Sequence, residues 1–151
     1  MSTTRSIYEG YVKFYEGEYT VLYDCSKKVP HLAIGIWKGF YDIYKQTSID
    51  EMEVSTNFIK QKKIIAMISD HSKLKVVNQK ALDWLHTNWY PNAAKNGLRL
   101  EASLKPDSDI AKLSLNRMLD KAKTDTISSP IFPDFQSAYD FCVQFIQKYK
   151  S

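Results

Sequence analysis

Asp70, His71 and Ser72 stand side by side at the end of the apolar run Ile64 to Ile68, in the stretch IIAMISDHSKL. A carboxylate, an imidazole and a hydroxyl are the ingredients of nucleophilic hydrolysis: serine attacks, histidine takes its proton and the acid orients the histidine. Their adjacency argues against that use. Triad members converge from distant chain positions, because neighbouring side chains point apart and cannot form the relay. The chain also lacks a G-x-S-x-G nucleophile elbow. These residues predict no hydrolase, and no other set of residues states an enzymatic chemistry.

The remaining chemical motifs are equally bare. The five glycines form neither G-x-G-x-x-G nor a Walker loop. The three histidines show neither H-x₃-H nor H-E-x-x-H spacing, so no metal site is expected. Asp107-Ser108-Asp109 lacks the later glycine and glutamate of a calcium loop and fits a helix cap instead. The two cysteines, Cys25 and Cys142, belong to no C-x-x-C pair and read as free thiols. No cofactor is implied.

One aromatic stretch is less ordinary, Trp84-Leu85-His86-Thr87-Asn88-Trp89-Tyr90-Pro91. Pro91 removes a donor and crowds the carbonyl of Thr87, so a helix running through it must kink or restart. Around such a bend, Trp84 and Tyr90 are candidates for a pocket wall or an interface anchor. Trp89 is expected in the core beneath the bend, and Tyr90 exposed.

The elements that must hold these residues follow from periodicity. Tyr11–Tyr15 and Tyr19–Tyr23 flank Glu16-Gly17-Glu18 and predict a hairpin. His31–Trp37 is a largely apolar, central strand. Ser48 and Glu51 fit a capping box opening a helix through about Lys62. Ile64–Ser69 reads as a buried strand, Asn78–Asn96 as a long helix ended by Gly97, and Leu98–Leu104 as an alternating, half-buried strand with Arg99, Glu101 and Ser103 outward. A helix carrying Leu115, Met118, Leu119 and Ala122 follows Pro106, and Thr126–Phe132 reads as a short final strand. Asp134 caps a last helix with Ala138, Phe141, Cys142, Phe145 and Tyr149 at helical spacing.

The order β-β-β-α-β-α-β-α-β-α predicts an α/β fold, with an N-terminal antiparallel meander followed by βα units joined by right-handed crossovers. Residues 1–151 read as a single domain, and Leu32, Ile34, Ile36, Ile65, Met67, Leu85, Leu100, Leu119 and Phe145 as its core. A 44% hydrophobic and 25% charged composition is that of an ordinary globular protein. The net charge of +4 comes from scattered lysines rather than a dense basic stripe, so no nucleic-acid partner is expected. No run approaches the length of a membrane span, and MSTTRSIYEG lacks an apolar signal region, so a cytoplasmic location is expected.

Trp37-Lys38-Gly39-Phe40, the apolar strand ending in Asp70, NWYPNAAKNGLRLEA, DIAKLSL and FPDFQSAYDFCVQFI together resemble bacterial STAS/SEC14-like proteins common in Bacteroidetes. The likeness spans roughly residues 31 to 150 and implies a SpoIIAA-like mixed sheet with helices packed in a βα superhelix. STAS domains of the anti-sigma-factor antagonist type carry Asp-Ser-Ser-Gly-Leu, with the second serine phosphorylated. Asp70-His71-Ser72-Lys73-Leu74 matches at Asp70, Ser72 and Leu74 and departs at His71 and Lys73. The resemblance implies a non-enzymatic regulatory or protein-interaction domain, binding a partner protein or a second copy through the Asp70–Ser72 loop and the aromatic helix. The alternative it implies is a SEC14-like domain that holds a small apolar ligand between sheet and helices.

Overall fold

The computed structural model describes residues 8, 10–41, 45–77, 79–106, 109, 112–113, 115–116 and 126–150. Strands β1 (Val12–Glu16), β2 (Thr20–Asp24) and β3 (Leu32–Trp37) form the expected antiparallel meander. After β4 (Gly39–Tyr41) and helix α1 (Gln46–Gln61), strand β5 (Ala66–Asp70) pairs parallel with β3. β6 (Leu74–Val77) and helix α2 (Gln79–Trp84) lead to a π-helical turn, Leu85–Trp89, and helix α3 (Tyr90–Lys95). β7 (Leu100–Leu104), β8 (Ile131–Phe132) and helix α4 (Phe135–Lys150) complete the described chain. The main sheet runs β1-β2-β3-β5-β7-β8, parallel from β3 onward, and β4 with β6 makes a small parallel pair beside it. The fold is α/β with a mixed sheet, as expected.

Each face of the sheet has its own core. α1, α2, the π turn and α3 cover one face with Met52, Phe58, Ile59, Leu82 and Trp89 against Leu22, Ala33, Trp37 and Met67. α4 covers the other with Ala138, Cys142 and Ile146 against Leu32, Ile34, Ile68 and Ala102. Cys25 and Cys142, from opposite ends of the chain, are free and buried in this second core. Burial pushes both thiols up to about 12, which makes them inert at neutral pH.

Several local expectations change. Ser48 and Glu51 form no capping box: α1 starts at Gln46, and Lys45 at its N-cap makes no side-chain cap. Glu51, only 2% exposed, instead accepts backbone N–H bonds from Tyr19 and Thr20 at 3.1 Å. Its carboxylate lies so close to the hairpin turn that a Cβ on Gly17 would sit 1.9 Å from Oε1. Only glycine leaves room for that acid. Ile36, Ile65 and Phe145 are half-buried rather than core, and Phe141 and Tyr149 lie on the exposed side of α4. Met118, Leu119 and Ala122 lie outside the described residues.

Ile68, fully buried between β3 and β7, therefore replaces Ile65 as the position that tests the core. Ile68→Ala is expected to cost about 2–5 kcal/mol and Ile65→Ala distinctly less. Urea midpoints of the two variants check this, and equal losses would contradict the difference in burial between the two side chains.

The predicted helix over 78–96 is divided in three. Pro91 has no N–H to return, and the chain answers with one wider turn: Tyr90 N–H bonds the carbonyl of Leu85. Pro91 then occupies the first turn of α3, where a missing N–H costs nothing. Gly97, at φ +118°, ends α3 with Leu98 N–H returning to Ala93 and Gly97 N–H to Ala94.

Candidate functional site

Strand parity divides the Asp70–Ser72 stretch between the two faces of the sheet. Asp70, 6% exposed, points to the α4 side, where the Tyr8 hydroxyl donates to its Oδ2 at 2.5 Å. Its Oδ1 accepts the backbone N–H of Ser72 at 2.8 Å, a local turn bond that leads the chain into β6. His71 turns to the opposite face and is 2% exposed. No hydrogen bond joins Asp70 to His71, since neither imidazole nitrogen has a partner among the described residues. Asp70 and His71 are thus not an exposed switch loop. The segment is a tight strand-to-strand turn rather than a strand-to-helix loop, and only Ser72 and Lys73 reach solvent.

His71 faces a cavity of about 30 Å³, lined otherwise by Trp37, Met52, Leu74, Val77, Leu85, Trp89, Tyr90 and Glu101. The sheet builds its floor. Gly35 in β3 lets the Trp37 indole lie back along the strand, for a Cβ there would meet the ring at 3.0 Å and Met67 Sδ at 3.2 Å. The π turn builds its roof. A wider turn rotates each following residue less, so Trp89 and Tyr90 both face inward, 3% and 1% exposed, with rings edge-to-face at 4.8 Å. Trp89 Nε1–H donates to Ser55 Oγ at 2.8 Å and makes an edge contact with Trp37 at 5.7 Å.

Tyr90 is therefore not the exposed anchor expected from its position before Pro91. Its hydroxyl donates to Glu101 Oε1 at 2.8 Å, and Ser69 Oγ–H donates to Oε2 at 2.8 Å. Trp84 is partly buried against the same core and does not line the cavity. The residue missed in the sequence is Glu101. Alternation placed it outward, but all five residues of β7 are buried, because β7 lies between β5 and β8 and is covered on both faces. The βα order itself carried that signal: a strand inside a parallel sheet has no solvent face.

Burial sets the electrostatics. It lowers the His71 imidazole to about 4, against a smaller upward pull from Asp70, so the ring is neutral at pH 7. Burial also raises the Glu101 carboxyl, while the hydroxyls of Tyr90 and Ser69 pull it back down. Among the described residues, no lysine or arginine pairs with Glu101. Nor does any group of three or more histidine, cysteine, aspartate or glutamate side chains there suit a metal ion. The site thus offers a neutral imidazole with one donor and one acceptor, a hydroxyl-held carboxyl group and aromatic walls.

No protein-family model and no curated protein matches this chain. The function of the site therefore has to be read from its chemistry. No helix among the described residues is long and apolar enough to cross a membrane.

Proposed function

We propose that this protein is a non-catalytic binding domain of the STAS/SEC14-like kind, holding a small, largely apolar ligand between its sheet and its aromatic helix. The observation that carries this reading is His71: an imidazole only 2% exposed, with both nitrogens unpartnered, facing an apolar cavity. Buried polar atoms nearly always find a hydrogen bond, and leaving one unmade costs about 1–3 kcal/mol. A ligand whose body packs on Trp37, Leu85 and Trp89, and toward which the His71 ring turns a nitrogen that is otherwise sealed, accounts for both features. The site lies near the carboxyl ends of β3 and β5, where ligands of parallel sheets commonly bind.

Native mass spectrometry of the purified protein tests this. The expected result is a small-molecule adduct lost in His71→Leu. Protein that carries no adduct, and whose melting temperature no small-molecule panel raises, would count against the reading.

A second reading, docking of a partner protein, is favoured by a different surface from the one expected. Ile131 on edge strand β8 and Phe141 and Tyr149 on α4 are 39%, 43% and 51% exposed. Phe141→Ser with Tyr149→Ser should abolish any self-association seen by sedimentation while leaving the melting temperature nearly unchanged. Unaltered association would remove this surface from consideration.

A further inference from the structure

The end of the sheet away from His71 carries a separate and larger recess, between the β2–β3 connection and the last turns of α4. Its volume of about 410 Å³ is within the range of small-molecule clefts. The floor is apolar: Val29 and Pro30 from the connection meet Val143 and Ile146 of α4. The rim is basic, formed by Lys28 and Lys150. Among the described residues no acidic side chain lines the recess, and neither lysine pairs with a carboxylate. Both ammonium groups are nevertheless positioned. Lys28 Nζ sits 4.5 Å from the centre of the Tyr11 ring, which places the cation without neutralising it. Lys150 is placed by His31, which adopts the left-handed backbone conformation at φ +73°, uncommon outside glycine. A carbonyl only accepts, so the 2.8 Å contact of His31 Nδ1 with the Lys63 carbonyl puts the ring proton on that nitrogen. Nε2 keeps its lone pair, and Lys150 Nζ–H donates to it at 2.6 Å. The contact orders a long, exposed side chain and leaves its charge uncompensated.

We infer that this recess binds a small amphipathic carboxylate, its carboxyl group meeting Lys28 and Lys150 and its hydrocarbon chain lying along Val29, Val143 and Ile146. An amine would meet two like charges, and an inorganic anion would leave the apolar floor unused. A neutral hydrocarbon would leave the rim uncompensated. The carboxyl end of α4 disfavours an anion by the equivalent of about half a charge, which two full positive charges outweigh. Complementing that helix end is the competing role for Lys150. It explains neither Lys28 nor the recess. The site shares no lining residue with the His71 cavity, so the inference stands apart from the binding reading above.

Calorimetric titration of the full chain with sodium hexanoate, sodium acetate, 1-hexanol and hexylammonium chloride, at pH 7 and constant ionic strength, tests this. Acetate keeps the charge without the chain, hexanol keeps the chain without the charge, and hexylammonium reverses the charge. The expected result is saturable hexanoate binding about ten-fold tighter than any of the others, the factor that two exposed ion pairs supply. That preference should vanish in the double variant Lys28→Gln, Lys150→Gln. Both lysines are exposed, so the variant keeps the fold, which a circular dichroism melt checks. Nuclear magnetic resonance shifts induced by hexanoate at the Val143 and Ile146 methyl groups of the unaltered protein locate the ligand without any substitution. Hexanol binding as tightly as hexanoate would overturn the carboxylate, and acetate doing so would overturn the chain. Hexanoate binding that survives the double variant, or that leaves both methyl groups unmoved, is association elsewhere and removes the site. Absence of hexanoate binding refutes the inference outright and leaves the His71 cavity untouched.

Discussion

Tyr90→Ala is expected to destabilise the protein as severely as Trp89→Ala, each by about 3–5 kcal/mol, the usual loss for a large buried aromatic. Trp89 loses its packing against Trp37 and its hydrogen bond to Ser55. Tyr90 loses a side chain that is 1% exposed, and it also strips Glu101 Oε1 of its donor. Tyr90→Phe separates these contributions: it keeps the ring and removes the hydroxyl, at about 1–3 kcal/mol for the acceptor left bare. Circular dichroism melts and urea midpoints on the three variants give the comparison. A Tyr90→Ala protein as stable as the parent would mean that the π turn does not carry Tyr90 inward.

Acidification from pH 7 to pH 5 should cost about 2 kcal/mol through His71 alone. The imidazole lies near 4 in the folded chain against its ordinary 6.5 when unfolded. The unfolded chain therefore binds more protons below pH 6.5, and stability falls as pH drops through that window, with the loss complete only below about 4. Asp70, which pulls the imidazole upward, limits the effect. Glu51 and Glu101, raised by burial, act in the opposite sense, since a carboxyl raised on folding gains relative stability as pH falls. The quantity to measure is accordingly a difference: urea-derived stabilities at pH 7 and pH 5 for the parent and for His71→Leu. The parent should lose about 2 kcal/mol more than the variant over that interval. Parallel behaviour of the two proteins would show that His71 is not held neutral in the fold.

Much of the architecture was legible before any coordinates. The hairpin around Gly17, the central apolar strand His31–Trp37 and the glycine stop after Asn96 were written in local patterns and are observed. The same holds for the Asp134 cap, whose Oδ1 accepts Ser137 N–H at 2.8 Å. These features depend on residues a few positions apart, so short-range sterics and hydrogen bonding decide them. Pro91 likewise announced a break in its helix, but not the kind of break. A kink, a restart and a π turn all relieve the same missing donor, and packing against the sheet chose the one that buries Tyr90.

The site was less legible because it is made of contacts between strands and helices distant in sequence. Glu101 meets Ser69 across 32 positions and Tyr90 across 11, and Glu51 reaches back 32 positions to the N–H of Tyr19. A capping box and an outward glutamate are what local pattern predicts for Glu51 and Glu101, and both were displaced by pairings formed only when the layers close. Asp70, His71 and Ser72 show the division most plainly. Their adjacency in the chain already excluded a relay, since alternation along an extended chain sends neighbours to opposite faces. Which face each would take, and that His71 would be sealed beside Glu101 rather than exposed, depended on α2, the π turn and α3 folding over that side of the sheet. Burial is a property of the assembled layers, and no short window of sequence contains it.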